Sequence, residues 1–162
     1  MIIAYIVLGL VLGLPLVLGL VFRVGAPHLF FSLMAGELLA RYFAHDVGTV
    51  VASLSRSEIP TQYAEAAIIV LPLLLTAVLL KGTLSKSKVA VHFIPLLITG
   101  VVLAAFVLPV LPVAAQDIVR TVSAGQQLLD MSSAIVGIVV LFQLVSLWLL
   151  NRSQHESGKK HR

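Results

Sequence analysis

The chain begins with an unbroken apolar run, residues 2–22, that contains no charged side chain. A helix needs about 20 apolar residues to cross the hydrocarbon core of a membrane, at about 1.5 Å per residue. Five stretches meet this length, near residues 2–22, 27–47, 61–80, 92–112 and 132–150. The sequence therefore predicts an all-α, polytopic integral membrane protein with about five transmembrane helices.

The composition narrows the possible functions. Of the 162 residues, 59% are hydrophobic and 11% are charged, whereas soluble domains have about 25% charged residues. The absence of cysteine excludes disulfides, thiolate nucleophiles and cysteine-ligated zinc. No nucleotide-binding loop, H-E-x-x-H or G-x-S-x-G motif occurs, so we expect a protein that is not an enzyme and has no cofactor. No basic and aromatic pattern indicates nucleic acid, and the expected environment is the lipid bilayer.

The basic residues are distributed unequally between the two predicted sides. If five spans alternate, eight basic residues lie on one side: Arg23, Lys81, Lys86, Lys88, Arg152, Lys159, Lys160 and Arg162. The other side has Arg56 and Arg120. The positive-inside rule then places the N-terminus outside and the C-terminus in the cytoplasm. We predict one transmembrane domain over residues 1–151 and a basic, disordered cytoplasmic tail over residues 152–162.

One segment of the second predicted span, "AGELLARYFAHD" (residues 35–46), contains several ionisable side chains. Glu37, Arg41 and His45 share one helical face, whereas Asp46 points the opposite way. The four-residue spacing, with the acid first, favours an ion pair between Glu37 and Arg41. Intramembrane charges are functional candidates because inserting each one costs about 2.5–3.5 kcal/mol. We favour a role in helix packing over a proton or solute pathway, because no second charged helix is apparent.

Three weaker features suggest packing or local structure. Gly9 and Gly13 form a G-x-x-x-G motif, which permits two helices to approach closely, so we predict helix packing there. His28 and His92 fall at the cytoplasmic ends of their spans and have the potential to meet, but two histidines alone make a poor metal site. The sequence leaves open whether the second span continues past Gly48 and whether the segment 114–131 forms an amphipathic helix.

Two stretches resemble the colicin V production protein family of small bacterial inner-membrane proteins. The first is "FRVGAPHLFFSLMAGELLARYF", and the second is "LLKGTLSKSKVAVHFIPLLITGVVLAAFVLP". Both are similar to the family in having a short basic turn that leads into a glycine-containing span. The similarity covers roughly residues 2–112. It implies a protein of the bacterial inner membrane that is linked to export or envelope homeostasis, and it identifies no catalytic residues.

Two functional hypotheses follow from these observations. The first is a non-enzymatic accessory or scaffold protein in export or envelope homeostasis, which contacts copies of itself or another membrane protein. The second is a small oligomeric channel or transporter in which several copies arrange Glu37, Arg41 and His45 around a shared pathway. Five spans without an internal repeat would need oligomerisation to build such a pathway. The sequence does not identify the partner, any transported species or the oligomeric state.

Overall fold

The computed structural model describes residues 2–55, 61–84 and 89–158, and within these ranges all regular structure is helical. The helices are α1 (Ile2–Phe22), α2 (Ala26–Ser55), α3 (Thr61–Leu79), α4 (Val89–Val110), α5 (Val113–Arg120), α6 (Ser123–Asp130) and α7 (Ser132–Gly158). The predicted all-α class is therefore confirmed. The helix ends agree with the predicted spans to within three residues, except for the C-terminal ends of α2 and α7.

The second helix is longer than predicted. α2 continues without a break past Gly48 to Ser55, giving 30 residues, or about 45 Å of helix. The segment contains no proline after Pro27, and a single glycine costs a helix only about 1 kcal/mol. The helix is thus longer than the hydrocarbon core of about 30 Å.

The last helix also extends further than predicted. The backbone of α7 is helical to Gly158, which includes residues 152–158 of the tail predicted to be disordered. Once a helix is nucleated, each added residue gains a hydrogen bond, so a polar segment can continue an apolar helix. Residues 159–162 lie outside the described part of the chain.

The segment between α4 and α7, left open by the sequence, forms two short helices. α5 and α6 are separated by Thr121 and Val122, and α6 meets α7 at a bend of 78°. Val119 and Val122 are buried against the N-terminal part of α1 and the C-terminal part of α4, whereas Ile118 is exposed. The two short helices therefore cover one end of the bundle.

The number of helices suited to crossing a membrane is smaller than predicted. Among the described residues, three helices are long and apolar enough: Ile2–Phe22, Gln62–Leu79 and His92–Val110. A fourth is added if the bent pair Ser123–Asp130 and Ser132–Val145 forms one span. α2 does not qualify, because Glu37, Arg41 and Asp46 interrupt its apolar sequence. The prediction of five spans is therefore not confirmed.

Two close helix crossings organise the core. Gly36 on α2 lies against the backbone of Ile69 on α3, and Gly100 on α4 lies against the backbone of Leu12 on α1. α2 packs most extensively against α3, and α1 packs most extensively against α4. A continuous cluster of buried residues, including Phe30, joins these pairs with α7. The core thus consists of two helix pairs, with α7 against α4.

Backbone hydrogen bonds connect two turns at one end of the bundle. The Gly82 N–H donates to the Phe22 carbonyl and the Leu84 N–H donates to the Arg23 carbonyl, each at 2.8 Å. Both turns need a left-handed residue, with φ of 54° at Arg23 and 82° at Gly82. Arg23 and the neighbouring Lys81 therefore lie at the same end of the bundle, as the predicted sidedness requires. The orientation in a membrane stays a prediction.

Candidate functional site

The charged pair predicted on the second span is present on α2. Arg41 Nε donates to Glu37 Oε1 at 2.8 Å, across one helical turn. The Glu37 side chain is only 15% exposed, whereas the Arg41 side chain is 69% exposed. The carboxylate is therefore the less hydrated partner, and it depends more on the ion pair for its stabilisation.

The pair lines a cleft between α2, α4 and α7. The cleft has a volume of about 360 Å³ and is lined by Glu37, Arg41, Ala105, Phe106, Pro109, Val110, Ser132, Ser133 and Val136. The polar groups come from α2 and the first turn of α7, and the apolar walls come mainly from α4. Charged and apolar surfaces thus meet in one cavity of a size at the lower end of small-molecule sites.

The cleft includes only part of the predicted charged face. His45 lies one turn beyond Arg41 on α2, is exposed and does not line the cleft, and Asp46 is exposed as well. The structure instead adds Ser132 and Ser133, which the sequence analysis did not single out. In the sequence, the two serines stand at the start of a predicted span. That position indicates a helix terminus and not the lining of a cleft.

A second carboxylate lies near the pair. Glu65 on α3 is partly buried, and the charge of Glu37 acts on it. The Gly36 and Ile69 contact sets the antiparallel register of α2 and α3, which places Glu65 about one turn from Glu37. No second charged helix facing Glu37 is apparent from the sequence, whereas the folded chain brings an acidic residue of α3 into electrostatic range.

The predicted packing glycines are not at a helix crossing within the described part of the chain. A Cβ atom on Gly9 or Gly13 would find nothing within 4 Å. Four other glycines lie where a Cβ atom would clash: Gly19 against the Leu96 side chain, and Gly36, Gly100 and Gly125 against the backbone of a neighbouring helix. A packing role for Gly9 and Gly13 therefore stays a prediction for contacts with another chain.

His28 and His92 approach each other, as the sequence analysis anticipated. A Cβ atom on Gly25 would lie 3.3 Å from His28 Nδ1 and 3.8 Å from His92 Cε1, so both rings flank the same glycine. Among residues 2–55, 61–84 and 89–158, no group of three or more histidine or acidic side chains is arranged to hold a metal ion. The histidine pair alone offers too few ligands.

Searches for related proteins do not identify the chain. No protein-family model, no curated protein and no solved structure matches it. The resemblance to the colicin V production family stays a prediction.

Proposed function

We propose that the chain is a non-enzymatic, multi-pass protein of the bacterial inner membrane that acts as an accessory or scaffold in export or envelope homeostasis. The helical bundle with three or four apolar helices of sufficient length supports the membrane location. The link to export or envelope homeostasis comes from the resemblance to the colicin V production family. The scaffold role requires a surface on which another membrane helix can pack.

The scaffold role is supported by the outward face of α1. A Cβ atom on Gly9 or Gly13 would have no neighbour within 4 Å among the described residues, and exposed Ile6, Leu10 and Val17 surround the two glycines. Close approach of two helices in a membrane depends on small residues, because the association comes from van der Waals contact and not from the hydrophobic effect. This face therefore combines the small and apolar residues that a partner helix needs.

The test compares matched glycine substitutions. The double variant Gly9→Leu and Gly13→Leu should lose any stable homo-oligomer or co-purified subunit, because the added side chains prevent close approach. Gly137→Leu is the control, since a Cβ on this glycine of α7 also meets nothing within 4 Å. Both variants should keep the thermal stability of the single chain. Native mass measurement in lipid, together with cross-linking, checks the result; a wild-type chain that is always a lone monomer contradicts the proposal.

The alternative function is a small oligomeric channel or transporter, which the charged cleft favours. Glu37 and Arg41 line a cavity, and several copies would bring these residues and His45 around a shared pathway. Ion or solute flux in proteoliposomes provides the measurement. Flux that requires the oligomer and is lost in the double variant Glu37→Gln and Arg41→Gln would favour transport. Wild-type vesicles without flux would exclude it for the solutes tested.

The proposed topology has five crossings, with the N-terminus outside and the C-terminus in the cytoplasm. It treats α2 as a crossing helix whose exposed charges face another subunit or water and not lipid. The excess of basic residues at one end supports the orientation. We expect a cysteine at Lys81 to resist an impermeant thiol reagent in intact cells and a cysteine at Ser123 to react. Both positions are exposed, and the chain has no native cysteine. Labelling from outside at position 81 contradicts the orientation.

A further inference from the structure

One side of α2 faces away from the rest of the described chain. α3 packs against α2 on another side, and the cleft with Glu37 lies between α2, α4 and α7. On the outward side, exposed residues recur at alternating steps of three and four. They are His28, Phe31, Ala35, Leu38, Tyr42, His45 and Thr49, and we call them the outer seam of α2. The residues on the opposite side, including Gly36, Ala40 and Ala44, are buried.

The spacing of the outer seam is that of the a and d positions in a two-stranded coiled coil. An average period of about 3.5 residues keeps one line of side chains facing a partner helix over several turns. In this register Tyr42 is an a residue and His45 is a d residue, and the spacing extends over about three heptads. Because every residue of the seam is exposed, the pattern suits a helix from another molecule and not a helix of the described chain.

Two charged residues flank the outer seam on opposite sides, and both are available for a further partner. The Arg41 side chain is 69% exposed, and within the described residues it uses only its Nε–H, which donates to Glu37. Asp46 is exposed, and among the same residues its carboxylate has no hydrogen-bond or ion-pair partner. A charge on a membrane-crossing helix is costly unless an opposite charge or water meets it. Each copy of the chain therefore presents one guanidinium and one carboxylate beside the seam.

The positions of these two charges match a second copy of the same helix. In a parallel coiled coil, the residue just before an a position lies beside the residue just after a d position of the partner, five residues further along the sequence. Arg41 precedes Tyr42, and Asp46 follows His45 at this distance along the chain. Two copies that have the same topology in a membrane also hold their α2 helices parallel. A two-fold axis then forms the charge pair twice, once from each copy.

We infer that the outer seam of α2 is the contact surface for a second copy of this chain, with the two α2 helices parallel. Arg41 of each copy pairs with Asp46 of the other, so the interface contains both exposed charges of each helix together with their opposite charges. The inference rests on the proposed scaffold role, and it names the partner as the same protein and the surface as α2.

The α1 face and the outer seam contribute differently to such an assembly. In the seam only Phe31 and Leu38 are large and purely apolar, so we expect the seam alone not to hold two copies together through purification. Polar residues at a and d positions instead select the register and the number of helices, at a cost in stability. Close packing at Gly9 and Gly13 supplies the stability, and the seam decides which sides of two copies face each other.

Disulfide cross-linking in intact membranes tests the contact. The chain has no native cysteine, so Leu38→Cys reports the seam and Leu10→Cys reports the α1 face. Leu141→Cys, at a comparably exposed position of α7, is the control. Matching d positions of a parallel pair lie close enough for a disulfide, whose Cα atoms are about 4.4–6.8 Å apart. We expect the yield of the intermolecular disulfide to be about tenfold higher for Leu38→Cys than for Leu141→Cys.

Variants at Asp46 test the charge pair in the Leu38→Cys background, and they leave the ion pair within each chain unchanged. Asp46→Asn should lower the yield about fivefold, the ratio expected for one partly exposed charge pair. Asp46→Arg should lower it further, because it places a cation beside Arg41 of the second copy, whereas Asp46→Glu should preserve it. Ser53→Arg is the matched control, since it lies on the same flank one heptad along, where the pairing places uncharged Gly48 opposite it.

A mixture of two variants restores the pairing. A chain with Asp46→Arg and a chain with Arg41→Glu, each carrying Leu38→Cys and a different tag, should form few disulfides with their own kind. Together they should cross-link efficiently, because each opposing pair then has one cation and one anion. If Arg41→Glu fails to fold, the variants at Asp46 still decide the outcome.

Three results would overturn the inference. The first is cross-linking of Leu10→Cys without cross-linking of Leu38→Cys, which would leave the scaffold role of the α1 face intact. The second is an equal yield for Leu38→Cys and Leu141→Cys. The third is an unchanged yield in Asp46→Arg. Membranes in which neither Leu38→Cys nor Leu10→Cys cross-links would contradict the scaffold role itself, and the inference with it.

Discussion

Gly36 and Glu37 are neighbours on α2, yet they face opposite kinds of environment. Gly36 lies against the backbone of Ile69, where even a Cβ atom has no room. Glu37, about 100° further round the helix, lines an open cleft shared with α4 and α7. One face of α2 is thus closed against α3, and the adjacent face leaves a gap.

The two sides of α2 differ in how closely a neighbouring helix approaches. A glycine permits α2 to approach α3 closely, whereas the side of α2 that carries Glu37 leaves a gap towards α4 and α7. The remaining gap accommodates a charged pair that a tightly packed interface would exclude, since burying an ion without full compensation costs several kcal/mol. We therefore expect that variants at the closed crossings affect stability more than variants at the cleft.

The largest effect should come from filling a closed crossing. Gly100→Leu on α4 places a side chain where the Leu12 carbonyl of α1 lies, and Gly36→Leu does the same at Ile69. Because backbone atoms cannot rotate away, we expect each variant to lower the free energy of unfolding by about 3 kcal/mol or more. Thermal unfolding in detergent measures this, with Gly137→Leu as the control. Wild-type stability of Gly100→Leu would show that the helices are not in close contact.

A smaller effect is expected at the cleft, and it should be asymmetric. Arg41→Gln leaves the poorly hydrated Glu37 carboxylate without its partner, and we expect a loss of about 1–3 kcal/mol. Glu37→Gln leaves Arg41 unpaired, but Arg41 is much less covered by protein than Glu37, so the loss should be smaller. The double variant should recover much of the stability lost in Arg41→Gln. Losses that simply add in the same unfolding assay would mean that the two charges are not coupled.

The smallest effect should come from the open glycines of α1. Gly9→Ala and Gly13→Ala each add a methyl group that has no neighbour within 4 Å among the described residues. Each also reduces the backbone entropy that is lost when the helix forms. We expect each to raise the free energy of unfolding of the single chain by less than about 1 kcal/mol. Denaturant titration of the monomer provides the measurement. A clear loss of stability would show that this face is already covered within the chain.

The sequence predicted the features that depend on local spacing. Apolar run length located the five long helices, because a backbone without water must form its hydrogen bonds internally. The spacing of Glu37 and Arg41 predicted their ion pair, because residues four apart lie on one helical face. Neither inference needs knowledge of how the helices pack.

Features that depend on packing were not predictable in this way. The G-x-x-x-G motif identifies small residues but not the face that another helix covers, so Gly9 and Gly13 were selected and Gly36 and Gly100 were not. The cleft likewise combines α2 with Ser132 and Ser133, which are about 90 residues away along the chain. The five spans are likewise not confirmed among the described residues, because charges lie within α2 and because α7 qualifies only together with α6.

The contact between Leu12 and Gly100 has a consequence for the time course of synthesis. These residues are about 90 positions apart, and at about 5–20 residues per second the ribosome needs about 5–18 seconds to make the intervening chain. During this interval α2 and α3 are already able to pair, whereas α1 has no α4 to contact. The first helix is therefore synthesised well before its main packing partner, and until then it has only its smaller contacts with α2 and α3.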